Sequence, residues 1–308
     1  MRTHFHWTGL AETDRGASVA MGNFDGVHLG HQAVIARARR PGLPLGIVTF
    51  EPHPRQFFAP SAPPFRLMNA EARTHRLEKL GVDQLYQLPF DSILSGMEAE
   101  TFVHEVLVAG LGIAHVTVGA DFCFGKGRGG NVETLRRAGE ALGFGVTVAE
   151  LVAVDGVQVS STAIREALSA GEPREAARML GHWHRIEGEV LHGAKRGRGL
   201  GFPTANMSMD GLHLPRLGVY AVRVDVLTGP HRGSHDGAAS LGVRPMFGDN
   251  RPNLETHLFD FAGDLYGEHL SVALIDFLRP EMTFAGLDAL TAQMQADCER
   301  ARAILAAL

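Results

Sequence analysis

Ser18-Val-Ala-Met-Gly22-Asn-Phe-Asp-Gly-Val-His28-Leu-Gly-His31 is the stretch whose reading decides the fold. A short apolar run leads into a glycine-rich turn, and residues 32–40 can continue as a helix, so the segment reads as strand, turn, helix. The alternation extends outward from it. Apolar runs at residues 45–50, 116–119 and 146–152 alternate with helix-compatible stretches at 70–80 and 99–107, which predicts a parallel sheet covered by helices on both faces. Two short helices are expected at 160–168 and 174–180, with Gly171 and Gly181 at their C-terminal caps and Pro173 near the start of the second. The first domain is placed at residues 1–181.

Beyond Gly181 the period changes from helix-like to strand-like. In Gly218-Val-Tyr-Ala-Val-Arg-Val-Asp-Val226, Tyr220, Val222, Val224 and Val226 share one face while Arg223 and Asp225 take the other, the alternation of a half-buried antiparallel strand. Residues 185–192, 254–261 and 270–278 add strand candidates separated by glycine and proline loops, so residues 182–308 are predicted to form a small antiparallel β-barrel or sandwich. A packing helix closes the chain. Leu287, Leu290, Met294, Cys298, Ala301, Leu305 and Leu308 recur at steps of three and four, with Asp297, Glu299 and Arg300 expected to face water.

Composition narrows the function classes. With 308 residues, 45% hydrophobic and 20% charged, the chain has the make-up of a two-domain globular protein. Its longest apolar run, residues 106–114, falls short of the roughly 18 residues a membrane span needs. The first residues lack the apolar segment of a secretory signal, so a cytoplasmic protein is expected, without a membrane partner. A net charge of −5 offers no general basic field for a nucleic-acid backbone. Cys123 and Cys298 are far apart, and histidine pairs such as His231 with His235 lack supporting ligands, so neither a disulfide framework nor a cysteine or histidine metal site is suggested.

Two segments of the first domain suit phosphate. Gly22, Gly26 and Gly30 let the backbone of the first turn approach a ligand, and the outward-pointing amides of a helix start favour triphosphate oxygens. His28 and His31, three residues apart, can share a face and donate hydrogen bonds as charge builds in a phosphoryl-transfer transition state. The bland alternative is a glycine turn with two surface histidines. In Val159-Ser-Ser-Thr-Ala-Ile-Arg165, Ser160, Ser161 and Thr162 open another helix start with Arg165 one turn in, again suited to phosphate. A serine N-cap with a solvent-facing arginine is the alternative there.

The second domain carries Gly197-Arg-Gly-Leu-Gly-Phe-Pro-Thr-Ala-Asn206. In an extended segment Thr204 and Asn206 point the same way, so both oxygens could bind one hard cation such as magnesium, with the amides of Gly199 and Gly201 near nucleotide phosphates. A generic loop before a strand is the competing reading. In Leu254-Glu-Thr-His-Leu-Phe-Asp-Phe261, Glu255 shares a face with His257, Phe259 and Phe261. A solvent-facing strand glutamate is the alternative.

Taken together, residues 22–31 and 159–165 resemble the paired phosphate-binding signatures of the nucleotidyltransferase superfamily. Thr49-Phe-Glu-Pro-His-Pro-Arg55 and Val118-Gly-Ala-Asp-Phe-Cys-Phe-Gly-Lys126 narrow the resemblance to the adenylyltransferase domain of the bacterial bifunctional riboflavin kinase/FMN adenylyltransferases, also called FAD synthetases. The string from Gly201 to Asn206 resembles the riboflavin kinase signature, and residues 254–261, with Asp264-Leu-Tyr-Gly267 and Phe277-Leu-Arg-Pro-Glu281, look like the flavokinase strand that carries its general base.

The resemblance implies a Rossmann-like α/β nucleotidyltransferase domain followed by a β-barrel flavokinase domain with a C-terminal helix. It implies small-molecule substrates and products (ATP, riboflavin, FMN and FAD), with magnesium in both steps. His28 and His31 would contact ATP phosphates; Gly22, Asp25, Gly26 and Gly30 would shape the nucleotide loop; Ser160, Ser161, Thr162 and Arg165 would hold the opposite phosphate side. Phe50, Pro54 and Asp121 are assigned to the flavin side, where ordinary packing or loop roles compete. Thr204 and Asn206 would hold magnesium, and Glu255 would act as base. One departure is Met246 after Arg244-Pro245, where the family often carries threonine; the basic segment from Gly193 to Arg198 could close over ATP. Competing functions are an adenylyltransferase for another small phosphate acceptor and a flavin-binding regulator that has lost one or both activities. Intact His28, His31, Arg165, Thr204, Asn206 and Glu255 weigh against the regulator.

Overall fold

The computed structural model describes residues 1–192, 201–246 and 249–308. The chain divides into two units, Met1–Pro63 with Arg73–Val159, and Pro64–Ala72 with Ser160–Leu308. Its strands are β1 (Arg2–His4), β2 (Ser18–Met21), β3 (Leu45–Glu51), β4 (Gln84–Pro89), β5 (His115–Gly119), β6 (Cys123–Phe124), β7 (Gly130–Asn131), β8 (Gly145–Ala149), β9 (Ala153–Val154), β10 (Val157–Gln158), β11 (Arg185–Glu189), β12 (Ala205–Ser208), β13 (Gly218–Val226), β14 (Gly233–Met246), β15 (Asp249–Leu258) and β16 (His269–Arg279). The helices are α1 (Leu29–Ala38), α2 (Pro54–Phe58), α3 (Ala70–Lys79), α4 (Ser92–Gly96), α5 (Ala99–Thr101), which runs on as π-helical turns over Phe102–Gly110, α6 (Val132–Leu142), α7 (Ser161–Ala170) and α8 (Pro173–Leu180), with a C-terminal helix over Leu287–Ala306.

In the first unit the six strands of the main sheet lie in the order β1-β4-β3-β2-β5-β8, all parallel. Every residue of β2 and the first six of β3 are buried, as strands covered on both faces require. From β2 the chain builds β3 and β4 to one side and then crosses to place β5 on the other. The carboxyl ends of β2 and β5 therefore flank a topological switch point, where open α/β sheets leave a crevice for ligands. The expected strand, turn and helix around Gly22 are present. Two strands had no clear sequence signal: β1 has three partly exposed residues, and Gln84 and Gln87 interrupt the apolar run of β4. The caps expected at Gly171 and Gly181 form, with φ of +82° and +71°.

In the second unit the antiparallel strands follow the order β11-β16-β13-β14-β15-β12. A bridge between Leu191 and Asn206, with Leu191 N donating to Asn206 O at 2.8 Å, joins the two ends into a barrel. Alternation sorts its side chains into two cores. Tyr220, Val222, Val224, Val226, Leu270, Val272 and Leu274 fill the interior, whereas Ala221, Ala238, Ala273 and Ile275 face outward and pack under Cys298, Ala301 and Leu305 of the C-terminal helix. The three alanines leave room for the helix to approach the sheet closely. β14 escaped the sequence reading because its glycines, serines and Pro245 resemble a loop.

The C-terminal helix corrects one expectation. Leu287 and Leu308 are exposed, while Asp297 is buried at 6% exposure. Its carboxylate accepts from Arg279 Nε at 3.0 Å and Nη2 at 2.7 Å, and from Gln293 Nε2 at 2.9 Å. Helical position alone put Asp297 beside Cys298 near the packed stripe; Arg279, from the neighbouring strand, makes its burial affordable. Residues 64–72 also dock within this unit: His213 N donates to Arg66 O at 2.7 Å, Asn69 Nδ2 to Glu187 O at 2.9 Å, and His269 Nδ1 lies 2.8 Å from Glu71 Oε1.

His184, buried just before β11, is held down at a pKa of about 3 by loss of hydration first and by His182 and His213 second. The folded chain therefore binds this proton less readily than the unfolded chain, so stability is retained above about pH 6.5 and falls as the pH drops below it. Between pH 6.5 and 5 the expected loss from this group is about 2 kcal/mol. Denaturant unfolding across that range should show a shallower acid decline in His184→Gln than in the parent chain; identical slopes would place the acid sensitivity elsewhere.

Candidate functional site

The first cluster is built where β2 ends. Phe24, Gly26 and Val27 hold positive φ of 52°, 86° and 42°, a bend that glycine adopts freely and a β-branched valine only at a cost in strain. Phe24, Asp25 and Val27 are nonetheless buried, and the loop is anchored on several sides. Gly22 N donates to Val48 O at 3.1 Å, Thr49 Oγ1 and Arg73 Nη1 reach Asn23 O at 3.3 and 3.4 Å, and Gln32 Nε2 reaches Val27 O at 2.9 Å. Arg73, 1% exposed, also donates to Glu51 Oε2 at 2.9 Å and Gln87 Oε1 at 3.1 Å.

His28 is the N-cap of α1. Its Nδ1 accepts from His31 N at 3.3 Å, so a neutral His28 ring carries its proton on Nε2. The rings of His28 and His31 stack with centroids 3.6 Å apart. Gly30 permits this fold-back, because a Cβ there would sit 3.1 Å from His28 Cε1 and Nδ1. Burial, followed by the neighbouring His28, holds the His31 pKa well below the ordinary imidazole value, so His31 is neutral at pH 7. His31 Nδ1 is buried and has no hydrogen-bond partner among the described residues. His31 thus presents an uncharged imidazole beside the amides of a helix start, with the His28 ring stacked on it.

Among the remaining first-unit candidates, Phe50 is 8% exposed and packs against Phe90 and Phe102, and Pro54 is the first residue of α2 behind the His53 cap. Asp121 is exposed just beyond β5, on the other side of the switch point from Gly22. Ser160, Ser161, Thr162 and Arg165 belong to the second unit. Ser160 is the N-cap of α7, its Oγ accepting from Ala163 N at 3.2 Å. Arg165 Nε donates to Phe65 O at 2.7 Å, and the guanidinium lies over the Phe65 ring at 5.5 Å.

The second cluster lies on the barrel. β12 and β15 pair antiparallel with Asn206 directly opposite Glu255, and β14 places Ser240 on the other flank of Glu255. Thr204, one residue before β12, accepts through its carbonyl from Asn206 Nδ2 at 3.3 Å. Glu255 is half-buried and Asn206 is 7% exposed. The expected alignment of Glu255 with His257 holds along the strand, His257 being further fixed by a 2.9 Å contact from Nδ1 to Pro203 O; Phe259 and Phe261 lie past the strand end, Phe259 in the core under the C-terminal helix and Phe261 packed against the interior core. Gly201 is exposed with φ of +84°. Gly199, the basic segment from Gly193 to Arg198 and the side chain of Met246 lie outside the described residues.

Residue-type reasoning missed three side chains. Gln32 and Arg73 hold the loop between β2 and α1, and nothing in a charged helix pattern marks Arg73 as buried. Asn253 bridges Asn206 and Glu255, and its place two residues before Glu255 on the same strand face was the available signal.

Residues 10–163 match the family described as FAD synthetase and residues 180–305 the family described as riboflavin kinase. A bifunctional riboflavin kinase/FMN adenylyltransferase of Pseudomonas fluorescens is 46% identical over 303 residues, covering 96% of each chain. The protein of the same description from Escherichia coli K12 is 39% identical over 92% of this chain and 90% of that one. A crystal structure described as a macrolide-efflux protein from Streptococcus pneumoniae shares the fold at a TM-score of 0.82, with 30% identity and 98% of both chains covered. Two family matches in order along the sequence, and full-length relatives that keep both halves, lead to one conclusion: the chain belongs to the family of bifunctional riboflavin kinase/FMN adenylyltransferases.

Proposed function

We propose that this chain phosphorylates riboflavin to FMN and adenylylates FMN to FAD, consuming ATP in both reactions. The observation that carries the reading is that full-length relationship, read with Asn206 and Glu255 paired across two strands of the barrel. The division of labour is placed at residue 181, with adenylylation assigned to residues 1–181 and the kinase to residues 182–308. The partners in this reading are small molecules, neither nucleic acid nor membrane, and the location is cytoplasmic. Among the described residues no helix is long and apolar enough to cross a membrane.

In adenylylation a phosphate oxygen of FMN attacks the α-phosphorus of ATP, and the bond to the outgoing pyrophosphate breaks. No proton acceptor is required, so catalysis is positioning and charge stabilisation. The Gly22–Val27 backbone and the α1 amides receive the phosphates, with Asp25 shaping the loop. His28 and His31 donate hydrogen bonds to the phosphates, and His31, neutral at pH 7, favours the more charged transition state without binding the ground-state triphosphate as strongly as a fixed cation would. Ser160, Ser161, Thr162 and Arg165 keep their assignment to ATP phosphate, although Ser160 Oγ is committed to its cap. Phe50, Pro54 and Asp121 keep theirs to the flavin side.

In phosphorylation the ribityl hydroxyl attacks the γ-phosphorus of ATP while Glu255 accepts its proton, and ADP leaves. The Thr204 hydroxyl and the Asn206 amide oxygen are oxygen donors suited to a hard cation, and these residues would hold magnesium. When bound, magnesium neutralises phosphate charge. Gly201 and Gly199 are assigned to the nucleotide.

His28→Ala and His31→Ala should each lower FAD formation from FMN by about 100-fold to 1,000-fold while sparing FMN formation from riboflavin. Gly30→Ala, which pushes on the His28 ring, should cost about tenfold in the same reaction. Wild-type adenylylation in a histidine variant would remove that residue from the mechanism. Glu255→Gln keeps size but removes the anionic acceptor. Its riboflavin phosphorylation should fall by roughly 100-fold to 10,000-fold, with adenylylation of supplied FMN and the melting temperature nearly unchanged. Undiminished FMN production would rule out Glu255 as base.

A further inference from the structure

Asn253 is 3% exposed on β15, two residues before Glu255 and on the same face. Its single NH2 group lies 3.3 Å from Glu255 Oε1 and 3.5 Å from Asn206 Oδ1. An amide nitrogen carries two hydrogens, one for each of these acceptors. Turning the amide over would set its oxygen against a carboxylate and a second amide oxygen, so the two acceptors themselves select the donor orientation. Asn206 is meanwhile held at its other end, with Nδ2 on Thr204 O. The chain of contacts runs from Thr204 through Asn206 and Asn253 to Glu255.

We infer that Asn253 is a positioning residue for riboflavin phosphorylation, its amide fixing the Glu255 carboxylate against Asn206 before substrate arrives. The inference rests on Glu255 being the base of that reaction. A carboxylate on a strand can rotate about its terminal torsion, which is broad and weakly restrained. A buried donor clamped between two strands removes that freedom, and a proton acceptor needs this because misplacement by about 1 Å costs rate steeply. Across the neighbouring strands Glu255 meets Asn206 and Ser240, and His257 follows it on its own face. Asn253, reaching both Glu255 and Asn206, ties the carboxylate to β12.

The test uses the full chain. Asn253→Ala removes the amide, Asn253→Asp keeps its shape but replaces the NH2 group with a charged oxygen, and Asn253→Ser leaves one shorter donor. Ala and Asp should each lower kcat for riboflavin phosphorylation about tenfold, the worth of one hydrogen bond to a charged group. KM for riboflavin and adenylylation of supplied FMN should stay near the parent values, with Asn253→Ser in between for kcat; the melting temperature should stay near the parent value in Ala and Ser and fall in Asp, whose carboxylate is buried against Glu255. In a Glu255→Gln background, Asn253→Ala should add less than about twofold, because the two residues act as a unit. An undiminished kcat in both Ala and Asp, or a full tenfold loss that persists in the Glu255→Gln background, would overturn the role. So would a kcat loss accompanied by an equal fall in adenylylation and a lower melting temperature. Full turnover by Glu255→Gln alone would instead sink the base assignment, a separate outcome from any behaviour of Asn253.

Discussion

The buried bend between β2 and α1 is the constraint on which the first unit depends. Phe24 and Val27 sit at positive φ, each at a cost of about 1–3 kcal/mol. Such a backbone persists because its surroundings over-determine it. Carbonyls of Asn23 and Val27 are held by Thr49, Arg73 and Gln32, and the side chains of Phe24 and Val27 are sealed in the core. The result delivers the chain into the α1 N-terminus with the His28 ring folded over the first turn. A relaxed loop would start the helix elsewhere and lose the stack with His31.

That stack has an electrostatic consequence. Two imidazoles with centroids 3.6 Å apart cannot both carry protons cheaply, and burial together with the neighbouring His28 holds the His31 pKa well below the ordinary value. The neutral His31 ring therefore lies beside the amides of the α1 start without adding a fixed cation to them.

The barrel solves a different problem with the same economy of strands. Along β13 and β16 one set of residues fills the interior and the alternate set seats the C-terminal helix, so these two central strands are buried on both faces. On β15 the outward set includes Asn253, Glu255 and His257, and there the face is polar and hydrogen-bonded. Arg279 and Asp297 fasten the helix over its part of the sheet.

Much of this was legible in the residues. The glycine-rich turn after an apolar run predicted the β2-to-α1 connection, the change from helical to two-residue period predicted the barrel, and Gly171 and Gly181 marked helix ends by the left-handed φ that glycine supplies. These are local properties, set by sterics and side-chain period within a few residues. What sequence could not supply was any quantity fixed by partners distant along the chain. Asp297 reads as a solvent residue until Arg279 is brought beside it, Arg73 reads as a surface cation until Glu51 and Gln87 surround it, and β14 reads as a loop until β13 and β15 pair with its backbone. The sequence by itself determined where the glycine-rich turn, the helix ends and the two-residue strand period lie. The tertiary structure alone decided that Asn206 faces Glu255 with Asn253 between them, because strand register is set by hydrogen bonding and packing across the sheet, and a slip of one residue would have turned that whole face inward.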